Sequence, residues 1–257
     1  MKRIYSFYSL IIVVVAFTAS CSDGSEGSMS DGGGKGGSMA RFCIVGDFLF
    51  TVDNSSLKTF NVSDSKNPEF YQYRTQGLES GIETIFPMDS LLFIGSQTGM
   101  HIFGVSDRGF LQYLSSTAHI RSCDPVVAQG NYAYVTLNSN NTGCGRTTNL
   151  LQIYDITNPE NPEHLKDIAG FTSPMGLGID GDKLFVCDDG LRVFDITNRA
   201  LPRQIDDLHS AGLHNVSDAY DVIPLNGHLI LVASSGIYQL DYTGESLRLL
   251  SKIEVKR

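Results

Sequence analysis

The segment LQIYDITN at residues 151–158 has a residue pattern that recurs four more times along the chain, and the five copies align without insertions or deletions. Each copy begins with an apolar residue and two variable positions. An aromatic residue or Leu is fourth, and Asp, Asn or Gly is fifth. An apolar or aromatic residue is sixth, and Ser or Thr is seventh, directly before a turn. Successive copies start 43, 51, 40 and 46 residues apart, which indicates a repeated structural unit. The other copies are LKTFNVSD (57–64), MHIFGVSD (100–107), LRVFDITN (191–198) and IYQLDYTG (237–244).

Each copy is one strand of a larger unit. A turn dipeptide followed by an apolar run precedes every copy, as in GDFLFTV (46–52) and GNYAYVT (130–136), and predicts a hairpin entering a buried strand. Another apolar run lies before the hairpin, and a further strand such as EHLKDIA (163–169) follows the copy. Four strands in 40 to 50 residues, repeated five times, predict an all-β fold, a β-propeller of five four-stranded blades.

A β-sandwich of about twenty strands is the alternative, but it would not explain the regular phase of the repeats. Because the repeat begins at the first strand and ends at the fourth, no strand is left over to complete another blade. We therefore expect a closed ring in which blade one packs against blade five through apolar surface.

The polar residue near the end of each copy has a structural interpretation. Asn61, Asp155, Asp195 and Asp241 each precede a turn, where a side-chain oxygen can accept hydrogen bonds from turn amides. Blade two departs from this pattern, because Gly104 occupies the equivalent position. We expect these acidic residues to stabilise turns rather than to take part in chemistry.

The stretch DITNPENP (155–162) and its weaker copies resemble the LVIVD repeat of extracytoplasmic bacterial propellers. The resemblance covers residues 40–257 and implies the blade fold. It implies little about activity, because the repeat residues build the blades.

The N-terminus has the features of a secretory signal. Met1-Lys2-Arg3 is followed by sixteen uncharged residues, and small residues lie directly before Cys21. This ending resembles the lipobox of bacterial lipoproteins, and the acidic residues that follow resemble the export signal of Bacteroidetes surface lipoproteins. An N-terminal anchor helix is the alternative, although the apolar stretch is short for a bilayer.

This interpretation divides the chain into three parts. Residues 1–20 are a lipoprotein signal peptide, residues 21–39 a lipidated Gly/Ser-rich tether, and residues 40–257 the propeller. The expected location is the cell envelope, in the outer membrane or at the cell surface, with the lipid as the only membrane contact.

Composition excludes some partners. The chain of 257 residues carries 19 basic and 28 acidic residues, so its formal net charge is −9. Nucleic-acid binding requires a basic surface to neutralise phosphates, so nucleic acid is not an expected partner.

Four cysteines lie in the predicted propeller, and export would place them in an oxidising compartment. Cys144 lies in the polar insertion LNSNNTGCGRTTN (137–149), and Cys123 begins the inner strand of the same blade. Because both would lie at one rim of the propeller, we predict a Cys123–Cys144 disulfide. Cys43 and Cys187 fall inside apolar strands and are expected to be buried free thiols.

Aligned inner strands suggest a site where the central channel opens. One aligned position at the start of the inner strand is occupied by Glu83, Asp124 and Asp221 in three blades and by Ala40 and Met175 in the other two. Three carboxylates would therefore converge at the channel mouth. Arg121 and His119 lie beside them in sequence. These five residues could bind a polar ligand, and the three acids could hold a cation such as Ca²⁺. A solvated channel rim with Arg121 paired to an acid is the alternative.

Three functions follow from these features. We place first a surface-anchored binding or scaffold module that contacts a protein or a glycan. The second is a metal-dependent hydrolase or lyase at the channel mouth, and the third is a structural component of the envelope. The chain lacks the motifs Gly-x-Ser-x-Gly and His-Glu-x-x-His, which favours a role without catalysis.

Replacing the proposed lipidation residue tests the anchor. In a Cys21→Ala variant, no thiol can receive the lipid, so the protein should leave the membrane fraction or accumulate as an uncleaved precursor. Cell fractionation and the mass of the N-terminal peptide measure both effects. A variant that is cleaved normally and stays with membranes would contradict the lipoprotein interpretation.

Overall fold

A computed structural model describes residues 36–78, 80–118, 125–139 and 149–255. It confirms the predicted fold class, an all-β propeller of five four-stranded antiparallel blades. Each blade uses four consecutive strands in sequence order, so no strand is exchanged between blades. Within the described residues, no helix has the length and hydrophobicity needed to cross a membrane.

The strands follow the repeat closely. Blade one contains β1 Phe42–Val45, β2 Phe48–Val52, β3 Leu57–Asn61 and β4 Glu69–Arg74. Blade two contains β5 Ile82–Met88, β6 Leu91–Ser96, β7 Gly99–Val105 and β8 Leu111–Ala118. Blade three contains β9 Val126–Gln129, β10 Tyr132–Leu137, β11 Leu150–Asp155 and β12 Glu163–Ile168. Blade four contains β13 Leu177–Asp180, β14 Lys183–Val186, β15 Arg192–Asp195 and β16 Arg203–Asp207. Blade five contains β17 Ala219–Leu225, β18 His228–Ala233, β19 Gly236–Asp241 and β20 Arg248–Glu254, after a 3-10 helix at Leu208–Ala211.

The first hairpin of every blade has the same backbone geometry. The first residue of each two-residue turn has a positive φ, because a tight turn must match the right-handed twist of the strands it joins. Three blades use Gly here, whereas Asp89 (φ 51°) and Asn226 (φ 48°) serve in blades two and five. Asp and Asn tolerate this conformation better than most residues other than Gly.

The turn role of the polar residue after the third strand is confirmed. Asn61, Asp155, Asp195 and Asp241 each accept a hydrogen bond from the backbone N–H two residues later, at 2.8–2.9 Å. Hydrogen bonds from the Thr197 backbone and side chain hold the pKa of Asp195 at about 2. Blade two instead uses the hydroxyl of Ser106, which accepts from the Phe110 N–H at 3.1 Å.

Four apolar cores lie between consecutive blades, from blade one against two to blade four against five. Strands β6, β10 and β14 of the three middle blades are buried at every position after the first, because both faces of their sheets are covered. Strands β2 and β18 of the end blades alternate between buried and partly exposed positions. Among the described residues, no apolar core joins blade five to blade one.

The expected packing of blade one against blade five is therefore wrong for the described part of the chain. Side chains also link each consecutive pair of blades, for example Ser115 Oγ donating to the Pro159 carbonyl at 2.6 Å and Tyr134 Oη donating to the Arg199 carbonyl at 2.9 Å. At the junction of blades five and one, the segment that precedes β1 contacts blade five, because the backbone N–H groups of Ser38 and Met39 bond the Asp221 carboxylate.

That segment revises the predicted boundary at residue 40. Gly37 and Ser38, expected in the tether, are buried in the propeller. The Ser38 hydroxyl accepts the N–H of Leu177 in blade four at 2.7 Å, and the Ala40 carbonyl accepts the N–H of Ile85 in blade two at 2.9 Å. The packed body therefore begins at least three residues earlier than the repeat indicates.

Core truncation tests the blade contacts. Leu92 is fully buried between blades one and two, so Leu92→Ala should lower the free energy of unfolding by about 2–5 kcal/mol. Leu165 lies on an outer strand and is 42% exposed, so the control Leu165→Ala should cost no more than about 0.5 kcal/mol. Urea denaturation measures both values. Equal losses for the two variants would contradict the assigned blade packing.

Candidate functional site

The predicted channel-mouth residues fall into two groups. His119, Arg121 and Asp124 lie outside the described residues, as do the predicted lipidation site Cys21 and both cysteines of the predicted disulfide, Cys123 and Cys144. Glu83 and Asp221 are described, so only these two can be placed. The disulfide, the lipid anchor and the role of the other three channel residues stay predictions.

Glu83 and Asp221 do not occupy equivalent positions, so this part of the alignment is wrong. When positions are counted back from the first hairpin of each blade, Asp221 is equivalent to Thr84, and Glu83 is equivalent to Tyr220. Glu83 and Tyr220 are the extra residues of bulges in β5 and β17. Because side chains alternate along a strand, an offset of one residue changes the direction in which the carboxylate points.

The surroundings of the two acids also differ. Glu83 is partly buried and accepts a hydrogen bond from Gln97 Nε2 at 3.2 Å. The Asp221 carboxylate accepts the N–H of Val222 at 3.0 Å and the backbone N–H groups of Ser38 and Met39. Within the described ranges, no three His, Cys, Asp or Glu side chains lie close enough together to hold a metal ion.

Asp221 is packed between two glycines. A Cβ on Gly37 would overlap its carboxylate, and a Cβ on Gly176 would lie 2.6 Å from Asp221 Oδ1. Burial raises the pKa of the Asp221 carboxyl to about 6, although its three backbone hydrogen bonds act in the opposite direction. The chain entering β1 thus fills the space beside this acid, which makes Asp221 a structural contact for Ser38 and Met39.

The two remaining cysteines are confirmed as buried free thiols. Burial raises the pKa of Cys43 to about 12 and also raises that of Cys187, where the nearby Asp221 and Asp188 charges add to the effect. Thiols with raised pKa values are poor nucleophiles, so neither cysteine is a candidate for covalent chemistry.

A buried ion pair in blade four is structural. Asp188 has no exposed side-chain surface, and Arg192 lies 2.6 Å from its carboxylate. The Asp188 carboxylate also accepts the N–H groups of Thr172 and Ser173 at 2.9 and 2.6 Å. With these partners the charge is well compensated, and the group orders the loop before β13.

A groove between blades two and three has the features of a ligand site. Its volume is about 450 Å³, and it lies between the end of β8 and the outer strands of blade three. Both apolar and polar side chains line it, which is typical of small-molecule sites. The residues that matter below are Thr117, Gln152, Tyr154, Pro162, His164 and Asp167.

A chain of hydrogen bonds runs along one wall of this groove. Tyr154 Oη donates to Gln152 Oε1 at 2.8 Å, and Gln152 Nε2 donates to Asp167 Oδ1 at 3.0 Å. His164 Nε2 lies 2.7 Å from the same Asp167 oxygen, and the His164 ring packs edge-on against Tyr154 at 5.3 Å. Gln152 is only 8% exposed, so the chain begins in the core and ends at the surface.

The opposite wall offers a hydroxyl group. Thr117 Oγ1 is buried and has no hydrogen-bond partner among the described residues. A buried hydroxyl without a partner costs free energy, and a ligand in the groove could supply the missing bond. The groove therefore presents a carboxylate acceptor, an imidazole and a hydroxyl around one space.

No motif in the sequence indicates this groove. His164 lies on the outer strand of blade three, and its side chain is 44% exposed. Asp167 is three residues later on the same strand, but Gln152 belongs to the neighbouring strand and Thr117 to another blade. Only the packing of blade two against blade three brings these side chains together.

Comparisons with known proteins support the fold alone. No protein-family model matches the chain, and no curated protein sequence does. The chain is similar to the solved structures of a protein from Lactobacillus plantarum (15% identity, TM-score 0.60) and of apo AztD from Citrobacter koseri (17%, 0.59). It is also similar to the periplasmic gluconolactonase of Pseudomonas aeruginosa (15%, 0.57).

These alignments cover 79–82% of this chain but only 59–68% of the other chains. The chain thus spans about two thirds of the length of the propellers that it matches. The similarity to the LVIVD repeat stays a prediction.

The buried Asp221 carboxyl gives a test at this site. Its pKa of about 6 lies above the ordinary value of 3.8, so its contribution to stability is complete below pH 3.8 and is lost as the pH rises through 6. A shift of this size corresponds to about 3 kcal/mol at most. Relative to wild type, Asp221→Asn should therefore gain stability from pH 4 to pH 8.

Urea melts at both pH values measure this change, with the exposed Asp107→Asn variant as a control that should track the wild type. A difference between Asp221→Asn and wild type that stays constant with pH would contradict the assigned environment of Asp221.

Proposed function

We propose that the chain is an envelope lipoprotein whose propeller acts as a binding module for a glycan. The observation that carries this proposal is the groove between blades two and three, with its hydrogen-bonded wall of Tyr154, Gln152, Asp167 and His164. The signal-like N-terminus supports an extracytoplasmic location, where glycans are abundant ligands.

The groove chemistry suits a neutral sugar. A carboxylate such as Asp167 accepts hydrogen bonds from sugar hydroxyls, while His164 and Thr117 can donate to sugar oxygens. Pro162 offers apolar surface for the C–H groups of a sugar ring. A volume of about 450 Å³ is within the range of small-ligand sites, and one or two sugar rings would fit.

Fixed polar groups favour selective binding. Because Gln152 is buried and bonded at both ends of its amide, it holds the Asp167 carboxylate in one orientation before a ligand arrives. A ligand that bonds Thr117 Oγ1 would satisfy a group that has no partner within the described ranges of the chain. A protein partner would need a larger contact than this groove provides.

A glycan array screened with the purified protein tests the proposal. For a glycan that binds, His164→Ala, Asp167→Asn and Thr117→Val should each weaken affinity by about tenfold, equivalent to 1.4 kcal/mol. Isothermal titration with the same glycan measures these changes, and circular dichroism checks that each variant is folded.

The chain provides a matched control. His209, in the 3-10 helix after blade four, and Asp207, at the end of β16, form an exposed pair at 2.9 Å, far from the groove in sequence. His209→Ala should bind the glycan as the wild type does. The proposal fails if no glycan on the array binds, or if the three groove variants retain full affinity.

A further inference from the structure

The chain that enters blade one forms a tight turn before its first strand begins. The N–H of Ala40 donates to the carbonyl of Gly37 at 3.0 Å, which closes a turn of four residues. Gly37 and Ser38 are buried, and Met39 is partly buried, although the sequence around them is rich in Gly and Ser. This turn, residues 37–40, is called the clasp below.

The clasp is bonded to three blades besides the one that it precedes. In blade four, the N–H of Leu177 donates to Ser38 Oγ at 2.7 Å. In blade five, the Asp221 carboxylate accepts the N–H groups of Ser38 and Met39. In blade two, the N–H of Ile85 donates to the carbonyl of the last clasp residue at 2.9 Å. One short turn thus connects the start of blade one to both neighbouring ends of the ring.

The site that receives the clasp is closely fitted to it. A Cβ on Gly37 would overlap the Asp221 carboxylate from one side, and a Cβ on Gly176 would lie 2.6 Å from Asp221 Oδ1 on the other. Glycine at both positions lets two backbone segments approach the same carboxylate. The clasp therefore occupies a shaped site and does not simply lie on the surface.

The junction that the clasp spans has fewer apolar contacts than the others. An apolar core lies at each of the four junctions between consecutive blades, whereas none joins blade five to blade one within the described ranges. Hydrogen bonds that replace bonds to water contribute less to stability than a buried apolar core does. Regions with few buried apolar contacts open at a lower free energy than the rest of a fold. The ring should therefore open first between blades five and one.

We propose that the clasp is a releasable lock: when docked it holds blade one in place relative to blades four and five, and when it undocks the ring opens at the junction of blades five and one. Each sheet consists of four consecutive strands, so this opening breaks no sheet. The chain enters the clasp from the predicted tether, so a load on the tether would reach the clasp before it reached any strand.

Backbone amides report directly on the docking of the clasp. Because one motion breaks all of its bonds, the amides involved should exchange their hydrogens with the same free energy of opening. The Ile82 amide is an internal control, since it bonds the carbonyl of Asn54 in blade one at 3.1 Å and does not depend on the clasp. The five reporting amides are those of Ser38, Met39, Ala40, Ile85 and Leu177.

Hydrogen exchange of the purified full chain, followed by NMR, tests the proposal. Gly37→Ala displaces the Asp221 carboxylate, so the Leu177 and Ile85 amides should exchange at least about tenfold faster, while the Ile82 amide keeps its rate. Gly244→Ala is the matched control. Gly244 is exposed and its added Cβ would have 3.8 Å to the nearest atom, so this variant should exchange as wild type does.

A second variant leaves the space around the carboxylate unchanged. Ser38→Ala removes only the hydroxyl that accepts the Leu177 N–H, and the other four reporting amides should then exchange about tenfold faster as well. Ser246→Ala is its control, because Ser246 is exposed in blade five.

Two results would overturn the proposal. If the Ile85 amide keeps its wild-type rate in both clasp variants, the contacts of the turn are independent and do not act as one lock. If the reporting amides of the wild type exchange as slowly as the slowest amides of the buried strand β6, the clasp opens only when the whole protein unfolds.

Discussion

A four-stranded blade has two apolar faces, and each face needs a neighbour to remove it from water. This constraint explains why the middle strands β6, β10 and β14 are buried at nearly every position, whereas β2 and β18 alternate. It also explains why the four cores form a continuous series along the chain. The groove and the segment that enters β1 both lie where this coverage changes.

Two concave regions of the propeller differ in whether the protein itself fills them. Beside Asp221, the segment that leads into β1 fills the space and supplies backbone donors to the carboxylate. Between blades two and three, the space stays open, and no described residue bonds the Thr117 hydroxyl. The backbone N–H groups of this segment occupy the Asp221 carboxylate, while polar groups left facing a groove are available to a ligand. Among the described residues, the groove is therefore the candidate site that we propose.

Local features of the sequence predicted the blades well, because each strand and turn depends on residues close together in the chain. The turn bonds of Asp155 and Asp195 follow from neighbours two residues away. Asp221 was misplaced by one residue, since bulges shift the inner strands and sequence alone does not mark them. The groove, and the lack of an apolar core between blades five and one among the described residues, depend on contacts between distant segments, which no local pattern encodes.

Because each sheet consists of four consecutive strands, the boundaries of a blade coincide with the boundaries of a repeat. A tandem duplication of about 45 residues would therefore insert a complete blade without breaking any sheet, and a deletion of the same length would remove one. Fold families that exchange a strand between their first and last blades lack this freedom, since both ends of the chain must stay in one sheet. For this architecture, changes in gene length by whole repeats are an accessible route to propellers of different size.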